Sequence, residues 1–265
     1  VLHECAGSET YHRDFMRSTI ALTRNQLSGS WRNMRTIFRR EVQSYFNSAI
    51  AYVVIVVFLA IIGWFHTSNL FLANMATLRL MFEMVPAIFL FVIPAITMRL
   101  LSEEMKSGTI ELLTTKPLHD VEIVLGKFLA AWALIGIALL LTLVYYVTIA
   151  LLGKIDNGPV IGGYCGLMLM AGVYVAIGLF ASSLTENQVV AFIIGFVLVF
   201  ALFMLDKILI YVPESLASIV EFMGIDYHFA NITRGVIDSR DVIYFLSLLG
   251  FMLYLTVLSV GRRKW

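Results

Sequence analysis

Residues Phe128–Leu152 read FLAAWALIGIALLLTLVYYVTIALL, with no Asp, Glu, Lys or Arg anywhere in the run. A helix needs roughly 20 such residues to cross the ~30 Å hydrocarbon core of a bilayer, since each residue adds about 1.5 Å. The rest of the chain agrees with that reading. Of its 265 residues, 60% are hydrophobic and only 14% charged. A soluble domain of this length needs a polar exterior that so few charges cannot supply. The class is a multi-span membrane protein.

Outward from that run, five further apolar windows read as spans: Ala49–Phe65, Met84–Leu101, Val160–Ser182, Val189–Tyr211 and Val242–Val260. Pro86 and Pro94 fall inside the second, where neighbouring helices can re-satisfy the freed carbonyls. The basic residues set the orientation. Arg13, Arg17, Arg24, Arg32, Arg35, Arg39 and Arg40 precede the first span. Arg99, Lys106, Lys116 and Lys127 lie in or beside the loop between spans two and three, and Arg262, Arg263 and Lys264 end the chain. Only Arg79, Lys154, Lys207, Arg234 and Arg240 fall on the other side. Fourteen against five puts both termini in the cytoplasm.

Residues 1–33 carry no apolar signal-like core and read as a disordered extension; the better-organised segment opens at Met34. In 34–48, Met34, Ile37, Phe38, Val42, Tyr45 and Phe46 repeat at helical spacing, with Arg35, Arg39 and Arg40 off the stripe. An apolar stripe with cationic flanks suits a helix lying in the membrane interface. The two cysteines form no disulfide framework; Cys165 reads as a small packing residue. His3, Cys5 and His12 match no standard metal spacing.

The middles of the spans are nearly free of ionisable groups, which argues against a proton- or sodium-driven transporter. Asp206 and Lys207 sit late in the fifth span and are expected to snorkel to the interface. No P-loop is present: Gly126-Lys127 and Gly153-Lys154 lack the earlier glycine and the Ser/Thr of phosphate-cradling loops. Lys127 and Lys154 read as anchors at span ends. No catalytic constellation and no metal site emerge, so the chain is not expected to be an enzyme by itself. Gly162 and Gly166 make a GxxxG-type face, open to two readings: packing within the chain or a subunit interface. After the fifth span, Pro213–Gly224 reads as a short amphipathic helix, and His228 stands alone in a loop expected to dip into the membrane or cap an exit.

Ser102–Lys127, SEEMKSGTIELLTTKPLHDVEIVLGK, is the polar counterpart of these spans. Gly108 and Pro117 bracket a short helix with Thr109 as N-cap, Glu111 in the first turn, and Ile110, Leu112 and Leu113 forming a ridge. Asp120 is the expected N-cap of the helix that climbs into the third span. Such a bracketed helix suits docking into a partner's groove; an ordinary cytoplasmic loop is the alternative.

Glu104, Gly108, Thr109, Ile110, Glu111, Leu113 and Pro117, followed by Leu125-Gly126-Lys127, resemble the first-loop pattern of ABC-2 type transporter permeases. The resemblance covers about Met34 to Trp265. Residues 181–196 and 227–249 are most similar to the gliding-motility (GldF-like) branch. It implies an all-α polytopic fold of the type V exporter kind, with six spans, an elbow helix at 34–48 and a coupling helix. The coupling helix would comprise Gly108, Thr109, Ile110, Glu111, Leu112, Leu113, Lys116 and Pro117; the elbow, Ile37, Phe38, Arg39 and Arg40. It also implies a half-transporter in the inner membrane that pairs with a second permease copy or a related chain, in contact with the lipid bilayer. The ATP-binding cassette ATPase is a separate subunit that holds ATP and Mg, and this chain has no cofactor. An accessory membrane or periplasmic subunit fits the pattern; nucleic acid does not. The function implied is export of a substrate, with a scaffold transmitting ATPase-driven work without solute as the alternative.

Overall fold

The computed structural model describes residues 30–72, 77–108, 119–153, 155–209, 213, 220–235 and 238–262. All regular structure in these residues is helical. Helix α1 covers 30–47. It is followed by α2 (Ala49–Leu72), α3 (Arg79–Thr97), α4 (Arg99–Lys106), α5 (Asp120–Leu141), α6 (Leu143–Leu152), α7 (Asn157–Leu184), α8 (Gln188–Ile208), α9 (Ile225–Thr233) and α10 (Ser239–Arg262). Six stretches are long and apolar enough to cross a membrane: Ala49–Phe71, Arg79–Lys106, Asp120–Leu152, Asn157–Leu184, Gln188–Ile208 and Ser239–Arg262. The fold is an all-α polytopic bundle.

The spans agree in number and order with the sequence reading, and most are longer. The added turns lie mostly in the polar zone, where the helix keeps its hydrogen bonds beyond the apolar window. Asp156 shows how such an end is made: its Oδ1 accepts from the Gly158 amide (3.1 Å) and caps α7. Asn187 does the same for α8 through Val189 (2.9 Å). The cap of α5 departs from expectation. His119 occupies the N-cap with extended backbone, and Asp120 is the first helical residue, placed to favour the helix dipole.

Helix α7 is the centre of the bundle, with α3, α4, α5, α8, α9 and α10 all packed on it. Its small residues allow this. A Cβ on Gly162 would run into the Ile232 carbonyl of α9, and one on Gly166 would lie 3.0 Å from the Phe229 ring. The GxxxG face is therefore filled within the chain, by a helix from the loop after the fifth span. That loop packs part of itself into the bundle, since Ile225, Phe229 and Ile232 are buried. Cys165, on the other side of α7, is exposed and does not pack as expected. Helix α2 lies at the edge, with Tyr52, Val53 and Val56 outward and Phe58 stacked on Phe89 of α3 (5.9 Å).

Ser182 of α7 enters the break between α3 and α4. Its Oγ accepts from the amides of Leu101 and Ser102 (both 3.1 Å) and donates to the Met98 carbonyl (2.8 Å). A side chain entering the backbone ladder is one of the recognised causes of a helix break.

Gly162→Val tests the fit of α9 on α7. Overpacking costs about 1–3 kcal/mol, so the purified protein should melt several degrees lower and residues 220–235 should exchange amide hydrogens faster. Cys165→Val, on the exposed side of the same helix, should change neither.

Candidate functional site

The polar residues of one end of the bundle converge on Lys127. Its Nζ donates to Glu41 Oε1 (3.0 Å) and Glu104 Oε1 (2.9 Å). The lysine is 2% exposed and the carboxylates 16% and 13%. Three elements meet here: Glu41 comes from α1, Glu104 from the last turn of α4 and Lys127 from the second turn of α5. Lys127 is thus a buried ion-paired residue and not the interfacial anchor expected of a lysine at a span end. An ammonium this buried is stable only with its carboxylates in place.

Gly126 makes the crossing possible. A Cβ there would lie 2.8 Å from Ile37 Cγ2 and 3.3 Å from the Met34 carbonyl. The Gly-Lys pair that resembles a fragment of a phosphate loop has two mechanical tasks: the glycine admits α1, and the lysine binds it. A second tie runs from Asn33 Nδ2 to the buried Glu122 Oε2 (3.2 Å).

The stripe of α1 faces the protein's own bundle. Tyr45 is in the core, and Phe38, Val42 and Phe46 pack against it. Ile37 and Phe38 are half-buried while Arg39 and Arg40 are exposed. The stripe assigned to lipid is therefore largely a protein contact, and the cationic face is what α1 presents outward. The Tyr45 hydroxyl donates to the Ile96 carbonyl (3.4 Å), and the Arg99 guanidinium lies 5.2 Å from its ring centre. Burial, with Glu41 adding to it and Arg99 opposing, pushes the phenol well above its ordinary range. Tyr45 remains a neutral donor to α3.

Glu104 and Lys127 stand on either side of the bracketed segment. Gly108 closes α4 with φ +67, a left-handed conformation that favours glycine. Thr109, Ile110, Glu111, Leu112, Leu113, Lys116 and Pro117 lie outside the described residues. What is described is the base of that loop: the arm entering it and the arm leaving it are joined at 2.9 Å through Glu104 and Lys127.

The other end of the bundle holds polar pairs of its own. His228, 1% exposed, is not alone: Nδ1 lies 2.6 Å from Asp241 Oδ1 and Nε2 lies 2.9 Å from the Phe222 carbonyl. Its ring stacks on Tyr244 (4.0 Å between centres). Asp206 and Lys207 do more than snorkel. Asp206 Oδ2 accepts from the Asp226 amide (2.9 Å), and Lys207 Nζ pairs with Asp226 Oδ2 (3.1 Å). Together they dock the start of α9 on the end of α8. Burial holds the Asp226 carboxyl above the usual carboxylate range, against the pull of Lys207.

Glu41 could have been found in the sequence. It falls between Ile37 and Tyr45 on the buried stripe of α1, where an unpaired carboxylate would be costly. The identity of its partner could not, because Lys127 is distant in the chain.

Replacing Lys127 by Met should leave Glu41 and Glu104 facing each other without a cation. Breaking a buried ion pair by removing one member costs about 3–5 kcal/mol, read as a lower thermal midpoint in detergent. Adding Glu41→Gln and Glu104→Gln to the same chain should recover most of the loss. A single variant that melts with the wild type would show that the cluster holds nothing together.

Comparison with curated proteins finds no match. Among family models, that of the ABC-2 family transporter protein matches residues 16–260. The match begins upstream of Met34, so the resemblance reaches further toward the N-terminus than the first-loop pattern and the spans indicate. With nearly the whole chain covered and six spanning helices present, the protein belongs to the ABC-2 family of membrane transport components.

Proposed function

We propose that this chain is the permease subunit of an ATP-binding cassette transporter and couples ATP hydrolysis by a separate ATPase subunit to export of a substrate. The observation that carries this reading is the Glu41–Lys127–Glu104 cluster. A docking segment passes motion to a bundle only if its ends are fixed to rigid elements. Here both arms of the loop are fixed, to each other and to α1, by charges buried from water. The segment from Gly108 to Pro117 is then the coupling helix, with Ile110, Leu112 and Leu113 toward the ATPase. Helix α1 is the elbow.

In this reading the ATPase closes on ATP and opens after hydrolysis, and the two states bias two arrangements of the spans. Both termini lie in the cytoplasm, and a second permease copy or related chain completes the transporter. Residues 181–196 and 227–249 support the gliding-motility (GldF-like) branch. Transmission of mechanical work without solute would use the same lever; a vesicle assay for a moved solute separates the two.

The test uses the full chain co-expressed with its ATPase, identified by pull-down. Glu111→Lys and Leu113→Asp should each cut ATPase co-purification about tenfold or abolish ATP-driven activity, while membrane insertion is unchanged. If co-purification and activity both survive, the coupling assignment fails.

A further inference from the structure

The far end of the bundle, opposite α1, contains a cavity of about 860 Å³ between the starts of α3 and α7, the end of α8 and α9. We propose that it binds an anionic amphiphile: an anionic headgroup on an apolar tail, taken from the surrounding lipid.

The cavity is polar at one level and apolar at another. Arg79 opens the second span, so it lies where hydrocarbon gives way to headgroups. Phe82 and Pro86, also in the wall, are one and two turns further along α3. At 1.5 Å per residue, Pro86 is about 10 Å deeper than Arg79. Phe229 and Val160 continue the apolar wall from α9 and α7. A ligand filling this space needs a polar head and an apolar body in that order, which is the orientation of a lipid in the adjacent leaflet.

The sign of the head follows from how the lining charges are used. The acids are engaged: Glu83 by Arg79 Nε (3.0 Å), Asp226 by Lys207 (3.1 Å) and Asp156 by the α7 cap. Arg234, in contrast, is exposed and has no carboxylate partner among the described residues. Three cations and three carboxylates line the cavity, and Arg234 is the one among them whose side chain has neither an ion pair nor a hydrogen bond among the described residues.

Retention of lipid by the purified full chain tests this, with native mass spectrometry after exchange into detergent containing equal amounts of phosphatidylglycerol and phosphatidylcholine. Phosphatidylglycerol should be retained about tenfold over phosphatidylcholine, because both offer a phosphodiester to Arg234 but the quaternary ammonium of choline offsets that charge and is repelled by the guanidinium. Arg234→Gln should remove about that preference. Ala230→Phe, which adds a ring to the cavity wall, should reduce retention of both lipids. Because Arg234 is exposed and supports no other group, its variant tests the site without a loss of fold, and an unchanged thermal midpoint checks this. Equal retention of the two lipids, or an Arg234 variant with the wild-type preference, overturns the proposal. Displacement of the lipid by an equal concentration of inorganic phosphate overturns it too, since the site would then take a free anion. Lipid retention requires no ATPase, so this result and the coupling result stand or fall separately.

Discussion

Lipid tails are as apolar as leucine, so helices in a bilayer gain little by hiding hydrophobic surface from their solvent. Close contact has to hold them together, and the small residues of α7 make close contact possible. Phe82 lays its ring over Gly163, Phe229 over Gly166, and the α9 backbone itself reaches Gly162. The order of the bundle follows: α7 is enclosed on most sides, while α2 keeps its large aliphatic side chains outward. Position along the chain does not decide which helix is central; side-chain size does.

Charge does a second kind of joining, at the end where α1 lies. Helices α1, α4 and α5 meet at Lys127, where one ammonium between two carboxylates joins all three. Such a joint is stiff, because every departure from it uncovers a charge in a poorly solvated place. It also closes the polar loop at its base. The length of that loop, costly in entropy if free, is divided from the bundle at a fixed point. At the opposite end Lys207 and Asp206 fasten the start of α9, and His228 fastens its middle to Asp241.

Much of the fold was legible because its signal is local. Six apolar runs, the two prolines of α3 and the stripe of α1 need no knowledge of distant residues. Helix ends were read short because Asp120, Asp156 and Asn157 are polar and still belong to, or cap, the helices. The pairs were not legible. Nothing near Lys127 names Glu41 as its partner, and nothing near His228 singles out Asp241 from other acids. The stripe of α1 was legible as a stripe but not in its destination, since lipid and a neighbouring span demand the same side chains. The GxxxG face left two readings open until Ile232 and Phe229 were seen to occupy it. The helix expected between Gly108 and Pro117 falls on residues outside those described.

Ser182 gives the second span a joint of a different chemical kind from its prolines. At Pro86 and Pro94 the missing N–H is permanent; no movement of the chain restores that bond. At Met98 every backbone donor and acceptor is still present, and a hydroxyl from α7 has come between them. Rotation about one Ser182 side-chain bond would withdraw it and leave the amides and carbonyls free to pair along the axis. The bonds missing at the prolines are therefore fixed by covalent structure, whereas those at Met98 are set by a side chain of α7, where the arm bearing Glu104 begins.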